Sequence, residues 1–230
     1  LTNVWINAGN QQFHLPTRKA QIIRGHVGLV LPNLEALAKR LHALEKRLSG
    51  TEFSFKHSKE FIMVTCPWGN KIKCYGSGNR FNMRLGIPYI EFNVPPGTTR
   101  GIAKFYEELF SCRTSLTKTA CRVAVGRGQG LWFKENKKQL EYDGHHIAIY
   151  VSNFSTPHEY LDCHGLITEE SDAHQYRFQT IVDPRSGEEL FNIEHEVRSL
   201  HHPMYGRLLV NRNASQSFMN YQQGLDAFVP

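Results

Sequence analysis

The run from Glu194 to His202 contains carboxylate and imidazole side chains, which are common ligands of divalent metal ions. In an extended strand, alternate side chains point to opposite faces, so Glu194 and Glu196 share one face and His195 takes the other. His201 and His202 lie past the predicted strand. No HExxH helix signature is present, so the run indicates a polar strand exit rather than a separate zinc site.

Two further chemistries lack a supported candidate. The segment Gly126 to Gly130 is glycine-rich, but it joins two predicted strands and has no GK[ST] and no following helix, so we interpret it as a bulged hairpin. No GxSxG motif is present, and the five cysteines form no CxxC pair. Unpaired cysteines of this kind favour free thiols, and we expect a cytoplasmic or other reducing intracellular compartment.

The bulk properties limit the classes of partner. With 230 residues and 40% hydrophobic residues, the chain can bury the cores of two lobes, and it has no apolar run of membrane-spanning length. No targeting peptide is recognised. The formal charge of +6 is concentrated in residues 1–80, which hold 12 Lys or Arg against 4 Asp or Glu. Such a surface can attract an anionic partner, but without a binding motif we expect neither nucleic acid nor membrane as the partner.

An internal repeat sets the elements that position these residues. The segment from His26 to Asn33 reappears as His146 to Asn153, each with a leading His, an apolar strand and a closing Asn. Asn33 can cap a helix, because leucines follow it at alternating spacings of three and four, at positions 34, 37, 41, 44 and 48. In the second copy, Pro157 and Gly165 mark the start and the end of a short helix.

Each copy closes with strands around a Pro/Gly turn, at residues 61–74 and 178–194. A third copy starts at Tyr89 and continues through a helix to strands at 121–125 and 131–133. Residues 4–15 are comparable with residues 122–133 and represent the tail of a fourth copy. Gly76 to Gly86 is the predicted linker, and residues 201–230 form an extension that packs on the body.

This arrangement of strand, helix and three strands resembles the vicinal oxygen chelate superfamily, which includes glyoxalase I, bleomycin-resistance and fosfomycin-resistance proteins and extradiol dioxygenases. The resemblance covers roughly residues 1–196 and depends on the repetition more than on any single motif. It implies an α+β fold of tandem βαβββ modules, paired into two glyoxalase-like lobes with curled mixed sheets. We expect lobes at 1–80 and 81–200. It also implies a metal site whose ligands come from the first and last strands of the modules.

In the first lobe, the resemblance places His14, His26 and Lys73 at the ligand positions. A lysine in place of a carboxylate adds a cation, so we expect no metal there, and His26 is interpreted as a hydrogen-bonded core histidine. A lobe that lacks its opening strand would expose a sheet edge, and we expect upstream residues or a partner chain to cover it.

In the second lobe, the resemblance implies His146 and Glu194 as metal ligands, while Tyr89 and Trp132 replace the other two. Two ligands rarely hold a divalent ion tightly, although Fe, Mn, Ni or Zn could bind if Glu91, His145 or Glu196 contributed. The alternative is that His146 and Glu194 pair with each other or with buried polar groups.

Three functions therefore stay open at this point. The first is a metal-free protein that binds a small, partly apolar ligand in a second-lobe cleft lined by Tyr89, Trp132, His146 and Glu194. The second is a metal-dependent lyase or extradiol-type dioxygenase that uses His146 and Glu194. The third is a non-catalytic scaffold. The chain could also form a homodimer.

Overall fold

The computed structural model describes residues 3–78, 80–172 and 174–206. It begins with a hairpin of β1 (Asn3–Ala8) and β2 (Gln11–Pro16). The first module comprises β3 (Gly25–Leu31), α1 (Leu34–Leu44), β4 (Ser54–His57), β5 (Phe61–Thr65) and β6 (Lys71–Gly76). The second comprises β7 (Tyr89–Val94), α2 (Thr99–Phe110), β8 (Thr114–Leu116), β9 (Ala120–Gly126) and β10 (Gln129–Glu135). The third comprises β11 (His146–Val151), α3 (Ser155–Cys163), β12 (Ile167–Asp172), β13 (Gln175–Val182) and β14 (Glu189–Ser199).

The α+β class and the repeated βαβββ order are confirmed. Within each module, the opening strand pairs in parallel with the closing strand: β3 with β6, β7 with β10 and β11 with β14. The first two modules join through antiparallel pairing of β3 with β7, which gives an eight-stranded sheet in the order β4-β5-β6-β3-β7-β10-β9-β8. The third module forms a four-stranded sheet in the order β11-β14-β13-β12.

The chain divides into two compact units. The first unit comprises Leu1–His145 and Ile181–Asn192, and the second comprises His146–Thr180 and the chain from Ile193. These units divide the chain at positions other than residue 80, the boundary expected from the sequence, because strands β3 and β7 pair across it. The predicted packing of residues 201–230 lies outside the described residues from position 207 onward.

The two helices of the first unit, α1 and α2, lie on the same face of the eight-stranded sheet. The side chain of Asn33 caps α1 by accepting a hydrogen bond from the Ala36 amide at 2.9 Å, as predicted. The helix ends at Leu44, so the expected continuation to Leu48 is wrong, and the chain turns there instead. Helix α2 buries Phe105 and other residues against the strands of its module. Neither α1 nor α2 therefore lies on the opposite face of the sheet, which is called the helix-free face below.

The core of the second unit contains a fully buried histidine. The His195 ring stacks on Phe178 with ring centroids 4.3 Å apart, and its Nδ1 donates to the Ile193 carbonyl at 2.8 Å. It lies on the opposite face of β14 from Glu194 and Glu196, as the strand alternation predicted. None of the helices in the described part of the chain is long and apolar enough to cross a membrane.

We predict that His195 makes folding stability depend on pH. Burial lowers its pKa from 6.5 to about 4, against the smaller opposite effect of the Ile193 carbonyl. Between these values the unfolded chain binds a proton that the native chain does not, so stability falls as the pH falls below about 6.5, by about 1.4 kcal/mol per unit. Urea unfolding of the wild type and His195→Phe at pH 7 and pH 5 measures the loss of stability on acidification, which should be larger in the wild type. An equal loss of stability in both proteins would contradict the prediction.

Candidate functional site

In the first unit, a hydrogen-bonded chain crosses the helix-free face of the eight-stranded sheet. His26 Nε2 lies 3.0 Å from the Tyr89 hydroxyl, which lies 2.9 Å from the Tyr75 hydroxyl. His26 Nδ1 lies 3.5 Å from a carboxylate oxygen of Glu91, which is opposite it across the β3–β7 pair. Both ring nitrogens of His26 thus face protein groups, which confirms the interpretation of His26 as a hydrogen-bonded core histidine.

An aromatic stack continues from this chain. The rings of Tyr89 and Trp132 are nearly parallel, with an interplanar angle of 3° and centroids 3.7 Å apart. Gly28 makes room for the Tyr89 ring, because a Cβ atom at position 28 would lie 2.4 Å from it. The Arg122 guanidinium lies 4.4 Å from the Trp132 ring centroid, so the indole has a cation beside it as well as an aromatic ring.

The surroundings of His26 and Tyr89 favour the neutral form of both side chains. Burial and then the charges of Lys73, Lys134 and Lys71 lower the pKa of His26 to about 4. Burial, followed by the hydrogen bond with Tyr75, raises the pKa of Tyr89 well above its ordinary value. The Tyr89 hydroxyl is accordingly held in its protonated form between His26 and Tyr75.

The remaining first-lobe positions do not converge on a metal site. His14 stacks on Trp5 across the β1–β2 hairpin, with ring centroids 4.0 Å apart. The Lys73 ammonium lies 5.2 Å from the Phe61 ring centroid, where it adds a positive charge. Within the described residues, no group of three or more His, Cys, Asp or Glu side chains is arranged to hold a metal ion.

In the second unit, the predicted pair His146 and Glu194 lies together. The two residues are direct partners in the parallel pairing of β11 with β14. His146 Nδ1 is 4.0 Å from Glu194 Oε1, and about a quarter of each side chain is exposed. The repeat and the strand alternation were therefore sufficient to predict that these two residues are neighbours.

Sequence reasoning missed Arg177, which binds Glu194 from the neighbouring strand β13. Its Nη1 donates to Glu194 Oε1 at 2.8 Å, and its Nη2 donates to Glu196 Oε2 at 2.5 Å. The guanidinium thus bridges two carboxylates of β14. The only sequence signal was an arginine on a predicted strand, and without the lateral strand order it had no assigned partner.

A second arginine completes the network on this face. Arg198 Nε donates to Glu196 Oε1 at 2.7 Å, and Arg198 Nη1 donates to the Tyr150 hydroxyl at 3.0 Å. Two guanidinium groups therefore compensate the carboxylates of Glu194 and Glu196, and Arg177 Nε also lies 3.7 Å from Glu169 Oε2. The Glu196 side chain is only 6% exposed, so this compensation takes place largely away from water.

The donor atoms of the pair, His146 Nδ1 and Glu194 Oε1, lie 4.0 Å apart and already have protein partners. The Glu194 oxygen nearer to His146 is also the one that accepts from Arg177. A metal ion would have to displace the guanidinium.

The four predicted ligand-binding residues thus form two pairs. Tyr89 and Trp132 stack in the first unit, and His146 and Glu194 lie together in the second. The grouping of all four in one cleft stays a prediction.

Solved structures share this fold. A glyoxalase I mutant from Zea mays is 11% identical, with a TM-score of 0.55, over 86% of this chain and 79% of that one. An extradiol ring-cleaving dioxygenase from B. fuscum is 16% identical, with a TM-score of 0.44, over 80% and 56%. The fosfomycin resistance protein FosX from Mesorhizobium loti is 16% identical, with a TM-score of 0.35, over 48% and 88%. No protein-family model and no curated protein matches the chain. The chain therefore has the fold of glyoxalase I, as the resemblance implied.

We predict that Arg177→Met destabilises the protein by about 3 kcal/mol, because it leaves Glu194 and Glu196 side by side without their bridging cation. Arg185→Met is the matched control, since Arg185 is 75% exposed and lies 3.9 Å from Glu108, and it should cost less than about 0.5 kcal/mol. Urea denaturation measures both values. Equal, small losses of unfolding free energy in the two variants would show that the Arg177 bridge does not stabilise the fold.

Proposed function

We propose that this protein is a metal-free binding protein with the glyoxalase fold, which holds a small, partly apolar ligand on the helix-free face of a sheet. The observation that carries the proposal is the Arg177 guanidinium, which bridges Glu194 and Glu196 on the strand where the fold would supply a metal-ligating carboxylate. In place of an exchangeable metal ion, the site has a covalently attached cation.

The first unit supports the same conclusion independently. A metal bound at His26 would need a free ring nitrogen, but one nitrogen faces Tyr89 and the other faces Glu91. A metal-dependent lyase or dioxygenase needs several protein ligands that leave coordination positions open for its substrate, and the described residues contain no group of three or more such ligands. The alternative enzymatic reading therefore receives no support from the arrangement of these side chains.

The aromatic pair supplies the apolar part of the proposed ligand surface. Trp132 is partly exposed beside the buried Tyr89, and the indole combines a large apolar ring with a polar N–H. Such a surface suits a planar or partly apolar molecule. We retain His146 and Glu194 as proposed ligand contacts of the second unit, since both remain partly exposed.

The test of metal independence is thermal unfolding of EDTA-treated protein with added Mn²⁺, Fe²⁺, Ni²⁺ or Zn²⁺. We expect no stabilisation by any of the four, because Arg177 already neutralises the carboxylates. A ligand at a hundred times its Kd stabilises a native protein by about 2.7 kcal/mol, so a bound metal would raise the Tm by several degrees. A rise of that size at stoichiometric metal would overturn the proposal.

The test of ligand binding is fluorescence titration with Nile red, a neutral and planar dye, in the presence of EDTA. We expect saturable binding that weakens about tenfold in Trp132→Leu. Trp68→Leu is the matched control, because Trp68 is 63% exposed in the turn between β5 and β6 and should leave the affinity unchanged. Equal affinities in the two variants, or an absence of saturable binding, would contradict the proposed surface.

A further inference from the structure

The helix-free face of the eight-stranded sheet is strongly basic. The registers of its strands place one set of side chains on this face with Tyr89 and Trp132, on alternate positions from the residues under α1 and α2. Among the described strand residues of this set, Glu91 is the one acidic residue. The set includes five basic residues: Lys56, Lys71, Lys73, Arg122 and Lys134.

Three of these lysines lie on the strands that flank His26 and Glu91. Lys71 and Lys73 lie on β6, and Lys134 lies on β10, on either side of β3 and β7, which carry His26 and Glu91. The three lysines are the charges that, after burial, lower the pKa of His26. The strand order β6-β3-β7-β10 places these lysines on both sides of His26, and Lys73 is the direct register partner of Gly28 on β3.

Among the described residues, few acidic groups compensate the positive charge of these lysines. Glu91 lies opposite His26, at 3.5 Å from its Nδ1. In the described part of the chain, none of Lys71, Lys73 and Lys134 has a carboxylate oxygen within 4.0 Å. Clustered like charges raise the free energy of the native state, and an anionic ligand would relieve that repulsion.

We infer that this face binds a small organic anion, such as an aryl phosphate or an aryl carboxylate, through Lys71, Lys73 and Lys134. The anionic group would lie between the lysines of β6 and β10, and the apolar part of the ligand would lie beside the exposed edge of Trp132. This inference rests on the proposed function and adds the charge of the ligand.

The arrangement of Trp132 favours a small anion over single-stranded nucleic acid. Nucleic-acid bases bind by stacking on exposed aromatic faces. One side of the indole is covered by Tyr89 and the other carries the Arg122 guanidinium, so the ring offers an edge and no open face.

The experiment compares two probes of similar size and opposite charge, phenyl phosphate and benzylammonium, by isothermal titration in EDTA. We expect phenyl phosphate to bind with an affinity at least tenfold higher. Lys73→Gln and Lys134→Gln should each weaken its binding about tenfold, which corresponds to about 1.4 kcal/mol. Lys39→Gln is the matched control, because Lys39 is exposed on α1 and loses the same charge on the helix side.

Three outcomes would overturn the inference: equal binding of the two probes, an effect of Lys39→Gln as large as that of Lys73→Gln, or binding of a thymidine oligonucleotide that phenyl phosphate cannot displace. The first outcome with normal Nile red binding would refute the anionic ligand and leave the proposed function standing. Binding of phenyl phosphate only after Mn²⁺ addition would refute the metal-free function itself.

Discussion

The parallel pairing of the first and last strands in each βαβββ module is the constraint on which both candidate sites depend. It brings residues about fifty positions apart, such as His146 and Glu194, into direct register on one face of a sheet. The helix of each module contacts strands of that module's sheet on one face, so polar side chains can accumulate on the other. The face without helices is consequently where each module can position its functional side chains.

The two units differ in the net charge that this face carries. In the second unit, the guanidinium groups of Arg177 and Arg198 bind Glu194 and Glu196, so these charged side chains are paired with each other. In the first unit, His26 is held neutral by burial and by the neighbouring lysines, and the excess charge is positive. A buried ion-pair network is weak support for stability in itself, but removing one member leaves an uncompensated charge. Arg177 is therefore predicted to be a sensitive position, because both Glu194 and Glu196 depend on its guanidinium.

Local patterns in the sequence were sufficient for the modules and for the pairs within them. Asn33 followed by leucines at helical spacing predicted a capped helix, and the alternation from Glu194 to Glu196 predicted which carboxylates share a face. The role of Arg177 could not be predicted, because it depends on β13 lying beside β14, which is a long-range property of the sheet. For the same reason, the antiparallel pairing of β3 with β7, which joins two modules across residue 80, has no local signature.

The central claim is that a guanidinium, rather than a metal ion, neutralises the carboxylates of β14. A crystal structure from protein grown with MnCl₂, with data collected at the manganese absorption edge, tests it directly. The account predicts the Arg177 guanidinium between Glu194 and Glu196, with no anomalous peak beside them. An anomalous peak within about 2.2 Å of both His146 and Glu194, with Arg177 displaced, would contradict it.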